Sequence, residues 1–509
     1  MTKSETAVFN MAAYCLAAQA AATPGKPALI VMTDAAAATP AEIWSFSDVE
    51  DAVLRLAAAL AARGLQRGDR VMIRLENTST YALLFFAAIA GGFVPLPVSS
   101  QLTASEAAFL LEDSGAACLV LDDRLGIAAV PAGVIVMLAD EVAAALRRAR
   151  RAPYAATDPD DPAFLIYTSG TTARPKGVLH AHRSARGRRP MYQGWYGIRS
   201  DDRMLHAGAF NWTFTLGTGL TDPWANGATA IVYTGPRDPQ VWPRLIASTG
   251  ATLFAAVPGL CRQIVKYAPD GLQRVPTLRH GLIAGETPPP DLFDAWRAAS
   301  GTDLYEALGM SEISTYVSSS PSVPRRRGTA GKAQAGRRVA ILDRDGGTDP
   351  LPAGAEGLLA VHRSDPGLML GYWNRPREEA EVTRGAWFIG GDLAAMDEDG
   401  YVAHLGRADD VMNAMGYRVS PLDIEAALLA HPSVSEAACA EVAVAAGIHV
   451  IAAFVVPHEG AACDPDQIRA FAASRLAAYK VPREIRIVSA LPKTANGKVQ
   501  RRRLTLPAR

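Results

Sequence analysis

Apolar positions set the first divisions of the chain. In "FSDVEDAVLRLAAALAARGL" (46–65) they recur every three or four residues, which predicts an amphipathic helix with Ser47 as its N-cap and Gly64 just past its end. "RVMIRL" (70–75) is a short continuous apolar run and predicts a buried strand. "STYALLFFAAIAGGFVPLPV" (79–98) predicts helix, turn and strand. "ACLVLDD" and "GVIVML" add two further strands. The alternation is that of an α/β fold with crossover helices. The opening "NMAAYCLAAQAAATP" lacks a basic start and carries Gln19, so it predicts an N-terminal helix rather than a cleaved signal.

The pattern changes near 405–412. "GDLAAMDEDGYVAHLGR" predicts turns and short strands. Beyond it come a helix in "SPLDIEAALLAHPSV", a strand in "VIAAFVVP", a helix in "PDQIRAFAASRLAAY" and a strand near "EIRIVS". These predict two domains, 1–407 and a small α+β unit over 408–509, as expected for 509 residues when one core seldom exceeds about 250–300.

Composition narrows the function classes. With 51 basic and 51 acidic residues, no net field recruits nucleic acid. No run of about 20 apolar residues predicts a membrane span. The five cysteines are scattered, with no CxxC pair, and predict reduced thiols in a cytoplasmic protein.

The chemistry centres on "YTSGTTARPKG" (167–177). A Walker loop starting at Gly170 needs glycine at 175 and Ser or Thr at 177; the chain has Pro175 and Gly177. What remains is a strand feeding a loop with hydroxyls at Thr168, Ser169, Thr171 and Thr172, backbone N–H groups around Gly170, and the charge of Lys176. That set suits phosphate oxygens, and equally a plain Ser/Thr/Gly turn.

The stretch resembles the signature of the adenylate-forming (AMP-binding) enzymes, with Ala173 where glycine is usual. Further blocks resemble the same family in order: "GLIAGETPPP", "YEALGMSEIS", "GTAGKAQAG", "GYWNRP", "WFIGGDLAAMDEDGYVAHLGRADD", "GYRVSPLDIE" and "PKTANGK". The first 160 residues carry no such block. The resemblance implies a large N-terminal domain of helix-flanked sheets with a small β-rich subdomain, and a small mobile α+β C-terminal domain. It implies two steps, formation of acyl-AMP with release of pyrophosphate and transfer of the acyl group to CoA.

Site roles follow from the same resemblance. Lys498 and Glu312 are catalytic, Glu312 also holding Mg2+. ATP and AMP are bound by Thr168, Ser169, Gly170, Thr171, Thr172, Lys176, Gly285, Glu286, Thr287, Gly309, Met310, Ser311, Asp392 and Arg407. Asp409 is the hinge. Gly416, Tyr417 and Arg418 meet CoA, and Phe210 and Trp212 wall the acyl pocket. Asn413, where many members have lysine, leans the resemblance to the acyl-CoA synthetase branch. Asn211 stands near the place where amino-acid-activating members have aspartate. The expected substrate is an apolar aromatic, alicyclic or medium-chain acid, with ATP and CoA. The alternatives are a stand-alone enzyme loading a carrier protein and a non-catalytic binder. The context "PKTANGKVQR" also implies a lysine acetyltransferase and deacetylase acting on Lys498.

Overall fold

The computed structural model describes residues 8–168, 175–285, 288, 291–407, 412–414, 417–419, 421–445, 448–458, 460–492, 499 and 501–506. A fourteen-stranded sheet forms the backbone of the large domain. One half is parallel: Pro27–Met32, Thr229–Tyr233, Arg203–His206, Leu253–Ala256, His280–Ala284 and Asp303–Met310 lie side by side. From Ser314–Ser318 onward the pairing is antiparallel, through Gly331–Ala333, Tyr401–Arg407, Trp387–Met396, Glu356–His362 and Val339–Leu342. This is the β-rich part.

A second, four-stranded parallel sheet collects the early apolar runs in the order Val94–Pro97, Arg70–Arg74, Cys118–Leu121, Ile135–Leu138. The helix Ser79–Ala90 between two of these strands is apolar on every side and is buried along its length. The helix Phe46–Ala62 buries one face. Its N-cap is Ser45, not Ser47. Ser45 Oγ accepts from Asp48 N at 3.2 Å and Ser45 N donates to Asp48 Oδ2 at 3.0 Å, a capping box that starts the helix two residues earlier than expected.

The smaller domain has a three-stranded sheet, Val434–Ala445, Ile448–Pro457 and Glu484–Ile487, with helices Pro421–Leu429 and Pro465–Ala473. The strand Val434–Ala445 was not expected from the sequence. A two-stranded ribbon, Met412–Ala414 with Tyr417–Val419, packs Met412 and Val419 into the core of this unit. All five cysteines are free. Among the described residues, no helix is long and apolar enough to cross a membrane.

Candidate active site

In open α/β sheets, ligands bind beyond the carboxyl ends of parallel strands. Two parallel sheets here turn such ends toward one cavity of about 180 Å³. The strand ending at Pro97 contributes Pro97 and Val98. Those ending at Ala284 and Met310 contribute Gly285 and Ser311.

A separate hairpin brings the candidate phosphate loop to the same place. Strands Pro162–Thr168 and Lys176–Ala181 pair antiparallel, so Thr168 stands opposite Lys176 at the base of the loop. Thr168 and Pro175 line the cavity. Ser169, Gly170, Thr171 and Thr172 lie outside the described residues, as do Glu286 and Thr287.

Lys176 is buried, and its Nζ sits 5.2 Å from the centre of the Tyr372 ring. The Tyr372 hydroxyl donates to Glu312 Oε1 at 2.7 Å, and Met369 N donates to the Glu312 carbonyl at 2.7 Å. Tyr372 thus joins the loop lysine to the candidate metal ligand. His180 Nε2 lies 2.8 Å from the Ser311 carbonyl and braces the preceding residue; burial lowers this imidazole to about 4, so it is neutral and donates.

Backbone geometry explains two glycines. At Gly309 a Cβ would stand 2.4 Å from the Ser314 carbonyl, and Gly285 has φ +93°. Both keep the strand ends open to the cavity. Ser314 takes φ +74° without being glycine, a local strain at the cavity wall.

Asp392 is buried, its Oδ1 3.3 Å from His404 Nε2, and it pairs in register with Arg407 on the neighbouring strand. Trp212, Met310 and Tyr417 line the cavity. Phe210 does not. Its ring is buried 5.6 Å from Tyr81 in the interior, and Phe214 lines the cavity beside Trp212 instead. The helix Thr213–Leu216 places Phe214 there.

The small domain closes one side. Tyr417 stacks on Tyr479 at 3.8 Å and meets Trp212 edge-on at 4.7 Å. Lys480 Nζ lies 3.4 Å from Glu106 Oε1 of the large domain. Arg418 is described as part of the ribbon strand. Asp409, Gly416 and Lys498 lie outside the described residues.

The sequence reading did not single out Tyr372, Tyr479 or Lys480 at the site. Tyr372 was visible only within "GYWNRP". Away from the cavity lining, Glu306, whose carboxyl burial pushes up to about 8, also looked like an ordinary strand position. Tyr479 and Lys480 belong to the small domain, far from the cavity in sequence.

These features define a nucleotide-binding enzyme of two domains with its site at their junction. The chain belongs to the AMP-binding enzyme family: that family's model matches residues 16–373, and the model of the AMP-binding enzyme C-terminal domain matches 423–498. It is 32% identical over 480 residues to a benzoate–CoA ligase of Thauera aromatica, covering 91% of this chain and 90% of the relative. It is 29% identical over 479 residues to a 3-hydroxybenzoate–CoA ligase of Aromatoleum sp. (strain CIB), covering 90% and 91%. A solved structure of o-succinylbenzoate CoA synthetase from Bacillus subtilis, a double mutant bound with its product analogue OSB-NCoA, superposes with TM-score 0.85 at 25% identity, covering 96% of this chain and 98% of the other.

Proposed function

We propose that the protein is an AMP-forming acid–thiol ligase, an acyl-CoA synthetase acting on an aromatic or medium-chain carboxylic acid. The observation that carries this reading is the convergence of three parts on one cavity: the Thr168–Lys176 hairpin, the strand ends at Gly285 and Met310–Ser311, and an aromatic wall at Trp212 and Phe214.

In the first step a carboxylate oxygen bonds to the α-phosphorus of ATP and pyrophosphate leaves. In the second, the sulfur of CoA bonds to the acyl carbon and AMP leaves. The protein's task is to bring anions together and stabilise charge on the α-phosphoryl group. Thr168 and Lys176 take phosphate oxygens, with Ser169, Gly170, Thr171 and Thr172 between them. Gly285, Glu286 and Thr287 border the adenine, Gly309, Met310 and Ser311 complete the ATP and AMP site, Asp392 takes the ribose hydroxyls, and Arg407 reaches ribose or phosphate.

Among the described residues no group of three or more His, Cys, Asp or Glu side chains could hold a metal. That fits Mg2+, which is commonly held by one or two carboxylates together with substrate phosphates. Glu312, oriented by Tyr372, is the carboxylate in this assignment. The ion would neutralise phosphate charge.

Lys498 approaches the carboxylate and α-phosphate during adenylation. The division falls at 407/408, and Asp409 is the hinge about which residues 408–509 rotate. Tyr417, with Gly416 and Arg418, then borders the CoA channel. The contact of Tyr417 with Trp212 supports a thioester-forming arrangement. The five free thiols support a reducing, cytoplasmic compartment. The context "PKTANGKVQR" supports acetylation of Lys498 by a lysine acetyltransferase, reversed by a deacetylase, as an off-switch that removes its charge.

The test is an assay of the purified protein with ATP, Mg2+ and a panel of acids, with and without CoA. Acid-dependent pyrophosphate release coupled to acyl-CoA is expected. Pyrophosphate release without thioester would favour carrier-protein loading, and no release with any acid would favour a non-catalytic binder.

A further inference from the structure

One wall of the cavity is polar in a way the two reaction steps do not use. Asn211, Ser314 and Thr315 all line it, and the helix Thr213–Leu216 packs against the strand Ser314–Ser318 that carries the last two. Among the described residues, Asn211 Oδ1 and Thr315 Oγ1 are buried and have no hydrogen-bond partner. Ser314 Oγ accepts from Arg188 Nη1 and donates to Met191 Sδ at 3.9 Å, so both of its roles are taken within the protein.

Arg188 explains why this wall is polar but not cationic. Its guanidinium is buried and grips Asp222 twice, Nε to Oδ1 at 2.8 Å and Nη2 to Oδ2 at 2.7 Å. Nη2 also donates to the Tyr196 hydroxyl at 3.3 Å. Asp222 is wholly buried, so the pair is internally neutral. Gly217 makes room for it, since a Cβ there would stand 1.9 Å from Nη2. Lys480, the one cation among the described lining residues, faces Glu106. A second carboxylate on the substrate would meet no unpaired positive charge at this wall, and burying it there would be costly.

Resting on the acyl-CoA synthetase reading above, we propose that this wall selects an aromatic acid carrying one neutral hydroxyl or amino substituent, hydrogen-bonded by Thr315 and Asn211. A substituent N–H or O–H donates to Asn211 Oδ1 or Thr315 Oγ1. A hydroxyl oxygen also accepts from the Thr315 hydroxyl. A methyl group of the same size satisfies none of them. A site built to hydrogen-bond a substrate group discriminates strongly against an analogue that lacks it, because its own polar atoms are left unpaired.

The experiment compares kcat/KM for acyl-CoA formation by the full chain with benzoate, the three hydroxybenzoates, the three aminobenzoates, the three toluates and isophthalate. At least one hydroxy or amino isomer is expected to exceed both its methyl counterpart and benzoate by about tenfold or more, with isophthalate the poorest ring acid. Thr315→Val should collapse that ratio toward one, and Thr315→Ser, which keeps the hydroxyl, should retain it; circular dichroism checks that both fold. Toluates or benzoate used as well as every hydroxy and amino isomer would overturn the proposal while leaving the ligase reading intact. So would an unchanged ratio in folded Thr315→Val. Failure of every acid to give a thioester would overturn the ligase reading, and this proposal with it.

Discussion

Replacing Tyr372 by phenylalanine removes one oxygen and keeps the ring. The ring stays beneath Lys176, and the backbone pairing of Tyr372 with Val178 is untouched. What is lost is the 2.7 Å hydrogen bond to Glu312 Oε1. A hydrogen bond to a charged group contributes about 1.5–3 kcal/mol. Each 1.36 kcal/mol is tenfold in rate, so complete loss of orientation corresponds to roughly 10- to 150-fold. Glu312 is only half-buried, and water can replace part of the lost donor, which points to the low end, about tenfold. The loss should fall on acyl-AMP formation at saturating acid, measured by pyrophosphate exchange, and should come with a higher Mg2+ requirement. Thioester formation from supplied acyl-AMP should be spared. Tyr372→Leu should be worse, because it also removes the surface beneath Lys176. If Tyr372→Phe forms acyl-AMP at the parent rate with the parent Mg2+ dependence, Tyr372 does not position Glu312 and the chain of contacts from Lys176 carries no chemistry.

Other consequences are as open to measurement. Burial lowers His180, His182 and His280 to about 4 and His206 to about 3, against about 6.5 in the unfolded chain, so the unfolded state binds more protons in that window. Their contribution is therefore full above pH 6.5 and lost as pH falls toward 4, and Tm should drop steeply over that range; a flat profile would contradict their neutral burial. Glu306 has the opposite sign: raised from about 4.5 to about 8, its contribution fades as pH rises across that interval, and Glu306→Gln should flatten the slope. Lys498→Ala should abolish acyl-AMP formation yet spare thioester formation from supplied acyl-AMP, and equal loss of both steps would argue against domain rotation. Trp212→Ala should admit bulkier acids, and a folded variant with unchanged acid preference would remove Trp212 from the acyl wall.

The parts legible in the sequence were those whose signals are local. The helix at 46–62 and the four early strands announce themselves by period and by continuous apolar runs. The cap was misplaced because Ser45 and Ser47 each have an acidic residue three positions on; Glu50 is taken by Arg151 and Tyr154 from distant sequence, and Asp48 completes the box with Ser45. The strand Val434–Ala445 was hidden because Ala437, Ala438, Ala440 and Ala443 fill it with a helix-favouring residue. Its pairing with Ile448–Pro457 overrides that preference. At the site, the ordered motifs pointed to the loop and strand ends, but contacts between distant segments left no mark. Arg188 meets Asp222 34 residues away and Ser314 126 residues away. Phe210 and Phe214 are equivalent in composition, and only the turn into Thr213–Leu216 decides which faces the cavity.

The central claim is that a carboxylate is activated by bonding to the α-phosphorus of ATP, and the fate of its oxygen tests this most directly. A heavy-oxygen-labelled aromatic acid is turned over with ATP, Mg2+ and CoA, and the products are weighed by mass spectrometry. The account predicts one labelled oxygen in AMP for each thioester formed, with the other retained in the acyl group. Label recovered in inorganic phosphate, or thioester formed with unlabelled AMP, would contradict it.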